Sequence, residues 1–205
     1  DLEAFDADRE RAAFPDPDLD DPASFKVVYA GAIRQVNDLS ILVDTAETLQ
    51  KRGRSGIRLL LFGDGDQRAA LEEDARKRGL TNIVFKGKVP KSAIPYVLSK
   101  ADVCLLHWKP TPISKFGMSM NKQFDYFASG KPVLASAKTA YDLIERYGCG
   151  VAQNLTTADA YADAICRLAD MEPEALRAYG DRARTAAEAY DFKNLTETLL
   201  RVMAL

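Results

Sequence analysis

Phe25-Lys26-Val27-Val28-Tyr29-Ala30-Gly31 and Ile57-Arg58-Leu59-Leu60-Leu61-Phe62-Gly63 set the pattern of the whole chain. Each run is short, apolar almost throughout and closed by glycine, which is how a strand buried on both faces reads. Between them Leu39, Leu42, Val43, Ala46 and Leu49 recur at i, i+3, i+4, i+7 and i+10, a stripe on one face of a helix that Gly53 and Gly56 end. Strand, amphipathic helix and strand in that order make a unit of a parallel sheet.

The alternation runs on toward the C-terminus. Residues 67–78 read as a helix stopped by Gly79, Ile83-Val84-Phe85 as a strand, and Ile94, Val97 and Leu98 as a short helix with Pro90 near its start. Asp102-Val103-Cys104-Leu105-Leu106 is a fourth strand, followed by a Pro-interrupted loop over residues 108–117. A helix over 120–129, a strand over 132–136, a helix opening at 141–145 and a short strand at Val151-Ala152 come next. Helices over 158–169, 173–190 and 192–203 close the chain. The expected fold is α/β, a Rossmann-like doubly wound parallel sheet of about six strands with helices on both faces. Residues 1–24 contain Pro15, Pro17 and Pro22 without a sustained apolar period, and read as a linker or arm laid on a domain starting near Phe25.

Apolar residues are 47% of the 205 and charged residues 28%, which excludes disordered, collagen-like and disulfide-scaffold classes. No stretch approaches the ~20 apolar residues of a membrane span, and the first residues lack the apolar run of a secretory leader. Cys104, Cys149 and Cys166 are odd in number with no CxxC, and read as reduced, buried thiols in a reducing compartment. The net charge of −2 excludes a uniformly basic nucleic-acid binder. That total hides a segregation. Residues 1–24 hold nine acids and two bases, whereas residues 86–131 hold eight lysines against Asp102 and Asp125. Such a positive field suits an anionic ligand, or is a solvated lysine-rich face.

Ligands of doubly wound sheets bind beyond the carboxyl ends of the strands, so four loops matter. In Gly31-Ala32-Ile33-Arg34 the glycine lets backbone approach a ligand and Arg34 can reach a phosphate, or the segment is a plain tight turn. Gly63-Asp64-Gly65-Asp66 lacks the spacing of a dinucleotide or Walker loop; its aspartates read as structural, with Asp66 capping the next helix. In Gly87-Lys88-Val89-Pro90 the backbone can pair with a flat heterocycle or simply turn into a helix. Gly117-Met118-Ser119-Met120-Asn121-Lys122 runs into a helix start, where free N–H groups and the dipole hold anions. Asp125, inside that helix, can accept two hydrogen bonds from a ribose diol.

Ser119-Met120-Asn121-Lys122-Gln123-Phe124-Asp125-Tyr126-Phe127-Ala128-Ser129-Gly130-Lys131-Pro132-Val133 resembles the signature of the retaining, GT-B type glycosyltransferases of family 4. Tyr29-Ala30-Gly31, Leu-Phe-Gly-Asp-Gly at 61–65, Phe-Lys-Gly-Lys-Val-Pro at 85–90 and Ala-Asp-Val-Cys-Leu-Leu at 101–106 follow that family's order and spacing. The chain is especially similar to the subgroup acting in bacterial surface-polysaccharide assembly. The likeness covers about residues 1–203. It implies the C-terminal, donor-binding half of a GT-B enzyme. Residues 1–24 are then a hinge remnant resembling the end of Asn-Gly-Val-Asp-x-x-x-Phe, and 25–191 the nucleotide-sugar-binding domain. Residues 192–205 become a helix that packs toward an N-terminal half.

By this resemblance Asp125 matches the second acid of the family's E-x7-E pair and holds the ribose, while Gly117 stands where the first acid would contact the transferred sugar. Met118, Ser119 and Met120 supply amides and a hydroxyl to diphosphate and sugar, Val89 pairs with the base, and Gly31 and Gly63 let the ligand come close. The family's Lys-Gly pair is here Asn37-Asp38, so Arg34 or Lys122 must compensate. His107 either lines the donor-sugar pocket or is a structural loop histidine. No His, Cys or Asp cluster has metal-ligand spacing, so no metal is expected.

The expected activity is transfer of a hexosyl or N-acetylaminosugar group, with retention, from a nucleoside-diphosphate sugar, UDP-linked, to a glycan or lipid-linked acceptor in polysaccharide biosynthesis. No cofactor and no nucleic acid take part. The acceptor and the catalytic base belong to the other half, so this segment binds donor and is inactive alone. The expected location is the cytoplasm, at the inner face of the plasma membrane. The alternative is a non-catalytic nucleotide- or phosphate-binding module. An epimerase of the related superfold would need its own carboxylate and histidine pair, and only His107 is present.

Overall fold

The computed structural model describes residues 1–109, 112, 116–118 and 120–204, and the alternation resolves into one six-stranded sheet in the order β3-β2-β1-β4-β5-β6. The strands are β1 (Phe25–Ala30), β2 (Ile57–Phe62), β3 (Ile83–Gly87), β4 (Val103–Leu106), β5 (Val133–Ala135) and β6 (Gly150–Ala152), every adjacent pair parallel. The helices are α1 (Leu2–Arg11), α2 (Ser40–Lys51), α3 (Arg68–Lys77), α4 (Ile94–Ser99), α5 (Asn121–Ala128), α6 (Leu143–Tyr147), α7 (Ala158–Ala169), α8 (Pro173–Ala189) and α9 (Phe192–Met203). The expected Rossmann-like sheet is thus present.

Strand side chains alternate between faces, so the sheet builds two cores. Val27, Tyr29, Leu59, Leu61, Val103 and Leu105 face α2, α3 and α7, while Val28, Ala30, Leu60, Phe62, Cys104 and Leu106 face α4, α5 and α8. Leu42, Leu49, Leu59 and Leu61 are at most 1% exposed, and each such side chain contributes about 2 kcal/mol of transfer free energy. Cys104 and Cys149 are buried and Cys166 only half-buried, so the reading of three buried thiols fails for Cys166; none is paired.

Residues 1–24 are an arm laid on the domain, and they open with a helix that the sequence did not signal. Asp1 caps α1 by accepting from Ala4 N at 3.0 Å, Phe5 and Leu19 join the second core, and α1 packs on α4. One turn of apolar residues, Leu2 and Phe5, is too little to signal a helix, and tertiary packing holds it. Beyond α1 the acidic arm crosses the sheet and meets its cations. Lys86 sits between Asp16 (2.6 Å) and Asp18, Arg58 reaches Asp18 at 2.7 Å, and Lys100 reaches Asp20 at 3.1 Å. Lys86 is therefore a buried ion pair rather than plain surface. At the other end α9 buries no residue and leaves Phe192, Leu199, Leu200, Val202 and Met203 exposed. No helix among the described residues is long and apolar enough to cross a membrane.

Candidate functional site

The strand order turns back between β1 and β4, and a crevice forms where loops diverge from that point. On one side the loops after β1 and β2 interlock through backbone: Gly31 N donates to Phe62 O (2.9 Å), Ile33 N to Asp64 O (3.0 Å) and Gln67 N to Ile33 O (3.1 Å). Gly63 has φ 139°, and a Cβ there would lie 1.8 Å from Gly31 O. Only glycine allows this contact. The result is an open recess of about 610 Å³ lined by Gly31, Arg34, Gly63, Asp64 and Lys88. Asp64 accepts from Gly65 N at 2.9 Å. Asp66 does not cap α3, whose N-cap is Gln67 with no side-chain bond. The loop hydrogen bonds already hold that turn, so no cap is required of Asp66.

On the other side, β4 ends in His107 and Trp108, both buried. His107 Nε2 donates to Asn37 O (2.8 Å) and Nδ1 accepts from the Tyr161 hydroxyl, so both ring nitrogens are engaged. Burial lowers the His107 pKa and favours the neutral ring this arrangement needs. The contact holds the Asn37-Asp38 corner, where Asp38 has φ 51°, a backbone shape that favours glycine. Asp38 pairs with Lys109 at 3.0 Å. A second recess of about 590 Å³ is lined by Asn37, His107, Trp108, Met118, Met120 and Lys122. The buried indole N–H of Trp108 has no hydrogen-bond partner among the described residues.

Helix α5 closes the crevice and is pinned by Tyr126, whose buried hydroxyl accepts from Ala30 N (2.9 Å) and donates to Ala30 O (3.3 Å). Its N-cap, Met120, offers no capping side chain, so the first N–H groups of the helix face the crevice end. Lys122, in the first turn, lies between the two recesses. Its Nζ donates to the Tyr29 hydroxyl at 3.1 Å and stands 4.5 Å from the centre of the Tyr29 ring. No carboxylate among the described residues pairs with it, and burial brings its pKa down to about 8. Asp125, one turn on, is exposed. Its carboxyl is nevertheless pushed above the usual aspartate range, desolvation by the surrounding protein outweighing the charge of Lys91.

A family model described as "Glycosyl transferases group 1" matches residues 24–171. The chain belongs to that family. No curated protein sequence matches it. Among solved structures, HepE from Anabaena in complex with UDP superposes with a TM-score of 0.75 at 18% identity, covering 100% of this chain and 55% of HepE. The C-terminal domain of the group 1 glycosyltransferase LpcC from Francisella tularensis gives 0.65 at 15% identity, covering 93% of this chain and 97% of that one. TarM from S. aureus gives 0.66 at 19%, covering 87% and 35%. At these identities the likeness shows the fold, which is that of a GT-B C-terminal domain. The chain spans about half the length of HepE.

In this group 1 glycosyltransferase domain, the residues expected at the site fall into three sets. Gly31, Arg34 and Gly63 line the first recess, and His107, Met118, Met120 and Lys122 the second; Lys122 touches both through Gly31. Val89, Asp125 and Gly117 line neither, although neither backbone group of Val89 bonds another described residue. Ser119 lies outside the described residues. Among the described residues no group of three or more His, Cys, Asp or Glu is placed to hold a metal ion. Sequence reasoning missed Tyr29, Tyr126 and Trp108. Tyr29 and Tyr126 read as strand and helix core aromatics and Trp108 as the start of a loop; their hydroxyls and ring N–H are invisible to hydrophobic periodicity.

Proposed function

We propose that this chain is the donor-binding domain of a retaining glycosyltransferase that takes a UDP-linked sugar and passes it to a glycan or lipid-linked acceptor in bacterial surface-polysaccharide synthesis. The observation that carries the reading is the gathering of Arg34, Lys88 and Lys122 around glycine-lined backbone at the strand ends. Cations and helix-start amides there would stabilise the charge that develops on the leaving nucleoside diphosphate, the main electrostatic need of the reaction. Val89 has a free N–H and C=O for the base edge, and Asp125 accepts the ribose hydroxyls. HepE and TarM, of the same fold, have been solved with UDP, which supports the nucleotide. The exposed apolar side of α9 would pack on an N-terminal half that carries the acceptor site and the catalytic base, so this domain alone binds donor without transferring it. The full enzyme would work in the cytoplasm at the inner membrane face.

Titration calorimetry tests this. UDP should bind the wild type, and Asp125→Ala should weaken it about tenfold, the value of a charged hydrogen-bond acceptor to two hydroxyls. Inorganic pyrophosphate, which has no ribose, should bind both proteins alike. Equal UDP binding by both would remove Asp125 from the site. A second reading, a nucleotide-binding module without transfer, draws on Gly117 in place of the first acid and Asn37-Asp38 in place of the Lys-Gly pair. Absence of donor hydrolysis and transfer by the two-domain protein would favour it.

A further inference from the structure

Tyr29 is fully buried in the strand core, and its ring faces the α2 and α7 side of the sheet. Its hydroxyl emerges at the strand end, where it donates to Ala32 O at 2.9 Å and so keeps its lone pairs for Lys122 Nζ at 3.1 Å. Burial raises the Tyr29 pKa, so the phenol stays protonated and the donation to Ala32 persists. The ring beneath the ammonium, 4.5 Å away, adds a cation–π attraction. A Cβ at position 31 would come within 2.5 Å of Nζ, so Gly31 leaves open the space the ammonium occupies.

Among the described residues no carboxylate pairs with Lys122. From β1 it faces the Tyr29 phenol. From the end of β4 it faces neutral His107, whose nitrogens are already engaged. Across the second recess Lys109 is paired to Asp38, and across the first stand the cations Arg34 and Lys88 with Asp64, whose carboxylate accepts from Gly65 N and lies 3.9 Å from Arg68. Asp125 on its own helix pairs with no residue as a salt bridge among the described ones, and lines neither recess. A half-buried ammonium that, among the described residues, only a phenol and its ring hold, where two recesses meet, is a cation kept for an incoming anion.

We infer that Tyr29 is a positioning residue for the diphosphate subsite: its hydroxyl and ring hold the Lys122 ammonium at the junction of the two recesses, where it takes over from the lysine missing at Asn37. The inference rests on the donor-site reading above. Tyr29 need not touch the nucleotide; it acts through Lys122. The pH dependence follows. Nucleotide binding requires the charged amine, so affinity is full below the Lys122 pKa of about 8 and falls as pH rises through it.

The test is a double-mutant cycle read as UDP dissociation constants by calorimetry. Near neutral pH, Lys122→Met should weaken UDP about thirtyfold and Tyr29→Phe about fivefold, while the double variant should lose no more than Lys122→Met alone. Multiplication of the two losses to about 150-fold would mean that Tyr29 acts independently, for example by holding the Ala32 loop, and overturns the inference. Phe fills the space of Tyr29, and an unchanged melting temperature verifies that the fold survives. The pH profile gives a second readout that a structural role would not move. Tyr29→Phe should shift the alkaline loss of affinity to lower pH, because the ammonium has lost its acceptor, and Lys122→Arg should abolish that loss. An unshifted profile in Tyr29→Phe also overturns it. Failure of the wild type to bind UDP at all would instead bring down the donor-site reading, and this inference with it.

Discussion

Lys86 and Lys122 carry the same charge and are both drawn out of water, yet the protein treats them in opposite ways. Lys86, with 11% of its side chain exposed, is enclosed by Asp16 and Asp18 of the N-terminal arm. Lys122, at the crevice, meets a tyrosine hydroxyl, an aromatic face and, among the described residues, no carboxylate. Desolvating a charge costs several kcal/mol, which a well-placed counter-charge offsets. At Lys86 the arm supplies it within the fold. At Lys122 no described residue does, and the amine's pKa is depressed to about 8. One lysine stabilises the structure; the other is held ready for an anion at a cost to the unliganded protein.

The contrast can be broken at either end. The largest effect is expected for Lys86→Met, which leaves the buried Asp16 carboxylate without its cation and Asp18 with Arg58 alone. It should lower stability by about 3 kcal/mol and the melting temperature by about 10 °C, with UDP affinity unchanged. Calorimetric melting and UDP titration measure the two separately, and a loss of UDP binding in a folded Lys86→Met would erase the distinction. Lys122→Met should do the reverse. The folded state binds fewer protons than the unfolded one between about 8 and the ordinary 10.5, so stability is lost as pH falls through that window and the deficit is complete at neutral pH. Removing the amine should raise the melting temperature of the unliganded protein by about 2 °C near pH 7, a gain that vanishes above about pH 11. A drop in melting temperature like that of Lys86→Met would show Lys122 to be a stabilising group after all.

Gly31→Ala sharpens the comparison with the smallest effect. Its methyl would meet the Lys122 ammonium, a mobile end group, and the Tyr29 hydroxyl at 3.0 Å, side-chain atoms rather than backbone being its nearest neighbours. The lysine should swing aside, weakening UDP about threefold at constant melting temperature. Gly63→Ala is the control, since its methyl strikes the Gly31 carbonyl and should destabilise the loop pair instead.

The core strands and most helices were legible because their apolar residues follow periods that only buried strands and amphipathic helices produce. α7 matches its expected span residue for residue, at 158–169. The family signature around Asp125 was legible for another reason: Gly130, Lys131 and Pro132 stand at fixed spacing from the acid. α1 was not, because two apolar residues give no period. His107 stayed ambiguous in sequence, since whether its nitrogens are free depends on Tyr161 and Asn37, far along the chain. By charge alone Lys86 and Lys122 were alike; the loop reading put Lys122 near the strand ends, while nothing in the sequence paired Lys86 with Asp16 and Asp18.

The sequence by itself therefore determined the fold class, the positions of the loops at the strand ends and the charge segregation, all carried by local pattern and composition. Only the tertiary structure decided what those charges do. The acidic arm folds onto Lys86, Arg58 and Lys100, cancelling part of the lysine-rich middle. It stops short of Lys122, which Tyr29 holds at the crevice. Charge counts along the chain carry no distances, and the energy of a charge depends on its distance to a partner and on the water between them.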